Sequence, residues 1–171
     1  MIGRKVQEMR QPRTLVGQWL LAGILDQRDL RDRLGKALNR GQRGWNNDEP
    51  AVVEAVCQIA SRMLFPTGAD GGQVAAFAIR MRELIPSRDP HASPAGQEET
   101  EAVIHAALED AGGDLSRFRK SAVFQARGAV IAAACSKLGL TDEAITQMIV
   151  DGEQIALQRG WHPPLRNDEA R

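Results

Sequence analysis

The sequence contains no tyrosine, and aromatic residues make up only 4% of its 171 residues. It also has few clusters of β-branched residues and no stretch in which apolar and polar residues strictly alternate, so it lacks the pattern that is typical of β-strands. Apolar residues instead recur at helical spacing along most of the chain. The sequence therefore predicts an all-α fold, and its length is that of one domain.

Cysteines and long apolar runs are also scarce. The two cysteines, Cys57 and Cys135, each lie in a short apolar run, which favours buried reduced thiols, while a disulfide between two packed helices stays open. The start of the chain has no apolar run of the kind found in signal peptides, and Val16–Leu25 is too short to cross a bilayer. We therefore predict a cytoplasmic protein that makes no membrane contact.

Sequence motifs of common enzymes are missing as well. There is no phosphate-binding glycine loop, no nucleophile elbow and no Cys-x-x-Cys pair, and Gly68–Gly72 is typical of a turn into a helix. Glu101, His105 and Glu109 lie four residues apart on one predicted helix and could hold a metal ion, but no second cluster supplies further ligands. A solvated helix face is the favoured interpretation. We expect no catalytic residue, no cofactor and no bound metal, which favours a protein that is not an enzyme.

The helical spacing predicts a bundle of about seven helices within a single domain over residues 1–171. Thr14, Asp26, Asp70 and Thr141 are residue types that cap helix N-termini, and each precedes a helical pattern. A basic N-terminal arm at 1–13, a flexible loop at 87–97 and a mobile tail at 160–171 are expected outside the bundle. The predicted helices are Thr14–Leu25, Asp26–Leu38, Asn47–Leu64 with its cap, Gln73–Ile85, Glu98–Ala111, Arg117–Leu138 and Asp142–Arg159.

One of these helices is unusually apolar. Between Ala122 and Cys135 only Gln125 and Arg127 interrupt a run of apolar and small residues. A helix that is apolar on nearly every side has to be enclosed by others. We therefore predict a buried central helix at about 117–138, and we keep open that one of its faces is also a subunit interface.

The end of this helix and the next one contain a motif-like pattern. Apolar residues, a small residue and a glycine turn fall at the spacing of the DNA-binding helix-turn-helix, which the segment Ile131–Val150 resembles. The resemblance implies that Asp142–Val150 would enter the major groove. Asp142 and Glu143 would then lie close to phosphates, which is unfavourable, so an ordinary helical hairpin is the favoured interpretation. The residues that the motif would offer to DNA are Thr141, Asp142, Glu143, Thr146 and Gln147.

The net charge is zero, but the charges are segregated. Residues 1–45 carry a net charge of +6, residues 46–115 carry −8, and residues 116–171 carry +2. This predicts a polar contact between the first and middle thirds, either within one chain or between chains. Nucleic-acid contact by the basic region is the rival interpretation, and docking to an acidic protein surface is a third. The residues proposed for nucleic-acid contact are Arg4, Lys5, Arg10, Arg13, Arg28, Arg31, Arg40 and Arg43.

Our functional prediction is a non-catalytic helical protein that acts through protein contacts, as an adaptor, a regulator or an antagonist. We expect a protein partner, including a second copy of the chain in a homodimer. Trp19 and Trp45 are candidate interface anchors, because tryptophan is enriched at the centres of such interfaces. The alternative is a nucleic-acid-binding regulator that uses the basic N-terminal region or the unit at 131–150. A metal-dependent enzyme built on His105 is a third hypothesis.

Overall fold

The computed structural model describes residues 10–40, 48–84, 96–109, 113–163 and 165. In these residues the chain forms seven α-helices, which confirms the prediction of an all-α domain with about seven helices. The helices are α1 (Leu15–Ile24), α2 (Arg28–Arg40), α3 (Asp48–Leu64), α4 (Gly71–Leu84), α5 (Gln97–Leu108), α6 (Lys120–Lys137) and α7 (Asp142–Gln158).

Two central helices organise the bundle. α6 packs against α1, α3, α4 and α5, and its residues Val123, Ala126 and Val130–Ile131 are buried, so the prediction of a buried helix at about 117–138 is confirmed. α3 shares the central position, because it packs against α1, α5, α6 and α7. Its buried residues cover more than half of its circumference: Val52, Val53, Ala55, Val56, Cys57, Ala60 and Ser61.

The contact between α3 and α7 depends on a residue without a side chain. A β-carbon on Gly152 would meet the backbone nitrogen of Val56 at 3.1 Å and would also meet the Cγ2 atom of that valine. Gly152 therefore allows the two helices to approach closely, and the neighbouring residues Ile149 and Ala156 complete the buried face of α7.

α1 and α2 form a hairpin in which α2 packs almost entirely on α1. The prediction that Asp26 caps the N-terminus of α2 is wrong. Asp26 has a φ of 58° and lies just past the end of α1, where Gln27 donates its backbone N–H to the carbonyl of Ala22 at 2.8 Å and Asp26 donates to Gly23 at 3.4 Å. This left-handed turn satisfies the last carbonyls of α1, so Asp26 ends one helix and the next begins at Arg28.

The predicted caps Thr14, Asp70 and Thr141 are confirmed, and the predicted cap Asn47 lies outside the described residues. Thr14 accepts a hydrogen bond from the backbone N–H of Gly17, and Thr141 accepts one from Ala144 at 3.2 Å. Asp70 accepts from the N–H of Gln73, whose side-chain oxygen accepts from the N–H of Asp70, as in a capping box. Side-chain oxygens thus satisfy donors at the starts of α1, α4 and α7.

α4 lies at the outside of the bundle against α5 and α6. Its buried side includes Val74, Phe77 and Met81. The ring of Phe77 contacts that of Phe65 edge to face, with the centroids 5.8 Å apart, and the Lys137 ammonium lies 5.2 Å from the Phe77 centroid. One face of α4 is therefore firmly packed, which leaves the opposite face toward solvent.

Several predicted segments fall partly outside the described residues. This applies to most of the predicted arm at 1–13 and of the predicted loop at 87–97, where Gln97 already begins α5. Within the predicted tail, Pro163 is buried and Leu165 forms an isolated antiparallel bridge with Thr14. No helix in the described part of the chain is long and apolar enough to cross a membrane.

Replacing Gly152 by alanine is expected to lower the free energy of unfolding by about 1–3 kcal/mol, because the new methyl group would push α7 away from α3. Gly128 on α6 is the matched control, since a β-carbon there would meet no atom within 4 Å. Gly128→Ala should be stabilising by about 0.5–1 kcal/mol, as is usual for a helical glycine that has space. Urea denaturation of both variants measures the difference, and equal effects would contradict the close approach.

Candidate functional site

The residues proposed for nucleic-acid contact are only partly described. Arg4, Lys5 and Arg43 lie outside the described residues, and Arg40 is the last residue of α2. Those with described side chains are exposed: Arg10, Arg13, Arg28 and Arg31. Arg10 and Arg13 precede α1 at the open end of the α1–α2 hairpin, whereas Arg28 and Arg31 lie at the start of α2 beside the turn, so the structure places the two pairs at opposite ends of the hairpin.

Two of these arginines are engaged within the hairpin. The Arg28 guanidinium pairs with Asp26 at 3.4 Å in an exposed ion pair, which contributes little to stability. The Arg31 guanidinium carbon lies 5.1 Å from the ring centroid of Trp19. Trp19 is half-buried, and its ring also contacts that of Phe124 on α6, with the centroids 5.9 Å apart. Trp19 thus fills the space between α1, α2 and α6, and its role as an interface anchor stays a prediction, as does that of Trp45, which lies outside the described residues.

The helix-turn-helix-like unit differs from that motif in packing. α6 and α7 both pack on α3 rather than chiefly on each other. Asp142, Glu143 and Gln147 are exposed at the start of α7, but Thr146 is only 6% exposed and donates its hydroxyl hydrogen to the carbonyl of Asp142 at 2.7 Å. The expectation that Thr146 faces a groove is therefore wrong, and the outer surface of this turn is mainly acidic.

The predicted metal triad lies on the solvent-facing side of α5. Glu109 is exposed, Glu101 and His105 are half-buried, and Glu101 accepts a hydrogen bond from Gln97 at 2.7 Å. Within the described ranges no group of three or more histidine, cysteine, aspartate and glutamate residues is placed to hold a metal ion. The structure supports the interpretation of this surface as an acidic helix face.

Both cysteines are free and buried, on the neighbouring central helices α3 and α6. Burial raises the pKa of Cys57 to about 12, against the opposing effect of the nearby Arg127 cation, and burial raises the pKa of Cys135 to about 11. The reactive form of a cysteine is the thiolate, which is scarce at neutral pH at such pKa values. The two thiols therefore act as packing groups.

The most buried carboxylate of the described residues is one that the sequence did not single out. Glu153 on α7 is only 4% exposed. Its Oε1 atom accepts hydrogen bonds from the backbone N–H of Thr14 at 2.8 Å and from the Thr14 hydroxyl at 2.6 Å. Its Oε2 atom accepts from the N–H of Arg13 at 3.0 Å. A buried charge is tolerated in such a place because each oxygen is hydrogen-bonded and lies at the positive end of a helix, here α1.

A signal for Glu153 exists in the sequence. It occupies the apolar stripe of α7, four residues after Ile149 and three residues before Ala156, where a carboxylate is unexpected. The partner could not be identified in the same way, because Thr14 lies 139 positions earlier. Gly17 completes the arrangement, since a β-carbon at that position would collide with the Glu153 carboxylate.

A second polar cluster joins α3, α6 and α7 at the surface. Arg127, which interrupts the apolar run of α6, pairs with Glu54 at 2.9 Å. Arg159 lies 3.9 Å from the other oxygen of Glu54 and donates to Gln58 at 2.9 Å. The carboxylate is thus shared by two cations, which explains structurally why a charged residue lies within the apolar run of α6.

The exposed side of α4 presents apolar residues up to Ile79, which is followed by the exposed Arg80. Ile79 is 60% exposed, Ala76 is exposed and Ala75 is half-buried. From Gly71 to Ile79 the helix carries no charged residue. Surface helices normally carry polar or charged residues on their solvent side, so this face is a candidate contact surface.

The chain matches no protein-family model, no curated protein and no solved structure. Its candidate surfaces are therefore interpreted from their own residues.

Replacing Glu153 by glutamine is expected to lower the free energy of unfolding by about 1.5–3 kcal/mol. The carboxylate accepts hydrogen bonds on both oxygens, whereas a glutamine amide has only one acceptor oxygen, so at least one donor would lose its partner. Glu143→Gln, at an exposed position on the same helix, should change stability by less than about 0.5 kcal/mol. Urea denaturation of Glu153→Gln, Thr14→Ala and the double variant measures the coupling between the two side chains. Additive effects would show that the hydrogen bond from the Thr14 hydroxyl to Glu153 contributes nothing.

Proposed function

We propose that this protein is a non-catalytic helical protein that acts through protein–protein contacts, and that the exposed face of α4 is a contact surface. The exposed fraction of Ile79 carries the proposal: a large apolar side chain is 60% accessible on a helix whose first nine residues have no charge. Burial of such a side chain by a partner would contribute roughly 1.5–3 kcal/mol.

The packing of α4 supports this assignment. Phe77 and Met81 pack its inner face into the core of the chain's own bundle. Ile79 and Ala76 point the other way, and the small side chain of Ala76 leaves space for a partner to approach the helix backbone. Interfaces of this kind combine an apolar centre with a polar rim.

Replacing Ile79 by lysine is expected to weaken binding of the partner at least about tenfold, because it places a charge at the centre of the apolar face. The full-length tagged chain would be recovered from its native cells together with the proteins bound to it. Each co-purifying protein, or a second copy of the chain, would then be purified. The dissociation constant of its complex with the chain would be measured. Gln154→Lys, at an exposed position of α7, is the matched control and should leave the dissociation constant unchanged. Circular dichroism confirms that both variants fold. Equal binding by both variants would overturn the assignment of the α4 face.

Nucleic-acid binding is the alternative function, and one observation favours it. The arginines of the basic region whose side chains are described, among them Arg10, Arg13 and Arg28, are all exposed. A protein that neutralises phosphates binds random duplex DNA at low salt and loses affinity steeply as salt is added.

Under the protein-contact proposal, labelled random duplex DNA is expected not to bind at low salt, because Asp26, Asp29 and Asp32 interrupt the basic residues of the hairpin. Fluorescence anisotropy across a series of salt concentrations measures this. Binding that weakens steeply with salt, and that is lost in Arg10→Glu/Arg13→Glu, would support the nucleic-acid alternative instead.

A further inference from the structure

We propose that the partner of the α4 face is a second copy of this chain, whose basic helix α2 lies across α4 and the acidic face of α5. The inference rests on the proposed function, because it assigns an occupant to the same surface. Two helices of opposite charge, which in the described residues do not pack on each other within one chain, support it.

The solvent side of α5 carries charge of one sign. Residues 97–109 contain four glutamates and no lysine or arginine. Glu98, Glu101, His105 and Glu109 follow one another at intervals of three, four and four residues, so they share one face of the helix. Glu98 and Glu109 are exposed, and Glu101 is half-buried.

Helix α2 carries the opposite sign. It contains five basic and two acidic residues, and Arg28, Arg31, Arg33 and Lys36 are exposed. Leu30, between these basic residues, is 36% exposed. An exposed leucine beside basic side chains suits a partner surface that combines an apolar centre with carboxylates.

In the described residues, the two helices do not pack on each other within one chain. α2 packs almost entirely on α1, whereas α5 packs on α3, α4 and α6. Of the ion pairs between described residues, those of Glu54 involve Arg127 and Arg159, and that of Arg28 involves Asp26, so none of them joins α2 to α5. The contact expected between the first and middle thirds of the sequence is therefore assigned to two chains.

The face of α4 supplies the apolar centre of this contact. Because α4 packs on α5, Ile79 and the glutamates lie on neighbouring helices, and α2 of the second copy can place Leu30 toward Ile79 and its basic residues toward the carboxylates. If two copies are related by a twofold axis, each provides both surfaces and the contact occurs twice in a closed dimer.

The test is a charge exchange between two variants of the full chain. In the first, Glu98→Lys and Glu101→Lys make α5 basic, and in the second, Arg33→Glu and Lys36→Glu make α2 acidic. Sedimentation velocity at about 50 mM salt, where screening is weak, measures self-association. We expect the wild-type chain to form dimers that dissociate as salt is raised. Each variant alone should have a dimer dissociation constant at least tenfold higher. Mixing the two variants in equal amounts should restore dimers. Opposite charges then face each other at both contacts of the mixed dimer.

Glu143→Lys/Asp151→Lys on α7 is the matched control for the α5 variant, because it changes the net charge by the same amount at exposed positions away from both helices, and it should dimerise like wild type. A wild-type monomer at about 100 μM and low salt, or a mixture that stays monomeric, would overturn the inference. In either case, loss of another protein's binding in Ile79→Lys would leave the proposed function standing. Loss of DNA binding in Arg33→Glu/Lys36→Glu would assign α2 to nucleic acid.

Discussion

The close approach of α7 to α3 is the constraint on which much of the bundle depends. Gly152 allows α7 to lie against the backbone of α3 at Val56, and the next residue, Glu153, points its carboxylate to the start of α1. Two adjacent residues therefore position α7 against the central helix and also fix where α1 begins. A larger residue at 152 would move Glu153 away from the donors of Thr14. Because α2 packs almost entirely on α1, the position of the hairpin depends on this contact together with the packing of α1 on α3 and α6.

The number and type of helices could be predicted from the sequence, because seven amphipathic or apolar segments are separated by residues that end or cap helices. The capping residues Thr14, Asp70 and Thr141 fulfil the roles that their chemistry predicts. Asp26 does not, since an aspartate is suited both to a helix start and to the left-handed turn that follows a helix. Only the three-dimensional path of the chain decides between these roles. For the same reason the sequence identified α6 as central but did not show that α3 shares that position.

The candidate surfaces were harder to predict than the core. Ile79 fits the apolar pattern of α4, but in a helix without charged residues over its first nine positions, spacing alone cannot tell the packed face from the exposed one. Glu153 was missed for the opposite reason: a single carboxylate in an apolar stripe is identified as buried only when its distant partner is known. The acidic face of α5 was visible in the sequence as the triad Glu101, His105 and Glu109. The sequence could not show that α2, the helix of opposite charge, packs on α1 and not on this face.

The separation of charge between α2 and α5 has a physical consequence for how copies of the chain would meet. Individual ion pairs at the rim of an interface contribute at most about 1 kcal/mol each, so charge alone does not hold two chains together. Charge does determine which surfaces approach each other and how fast, and it opposes a contact between two α5 faces or two α2 faces. The free energy of association has to come mainly from apolar burial, for which Ile79 and Leu30 are the exposed side chains on the helices concerned. Both contributions are combined when α2 of one copy lies over α4 and α5 of the other. This arrangement buries Ile79 and Leu30. It also places the basic residues of α2 next to the acidic face of α5 in the other copy.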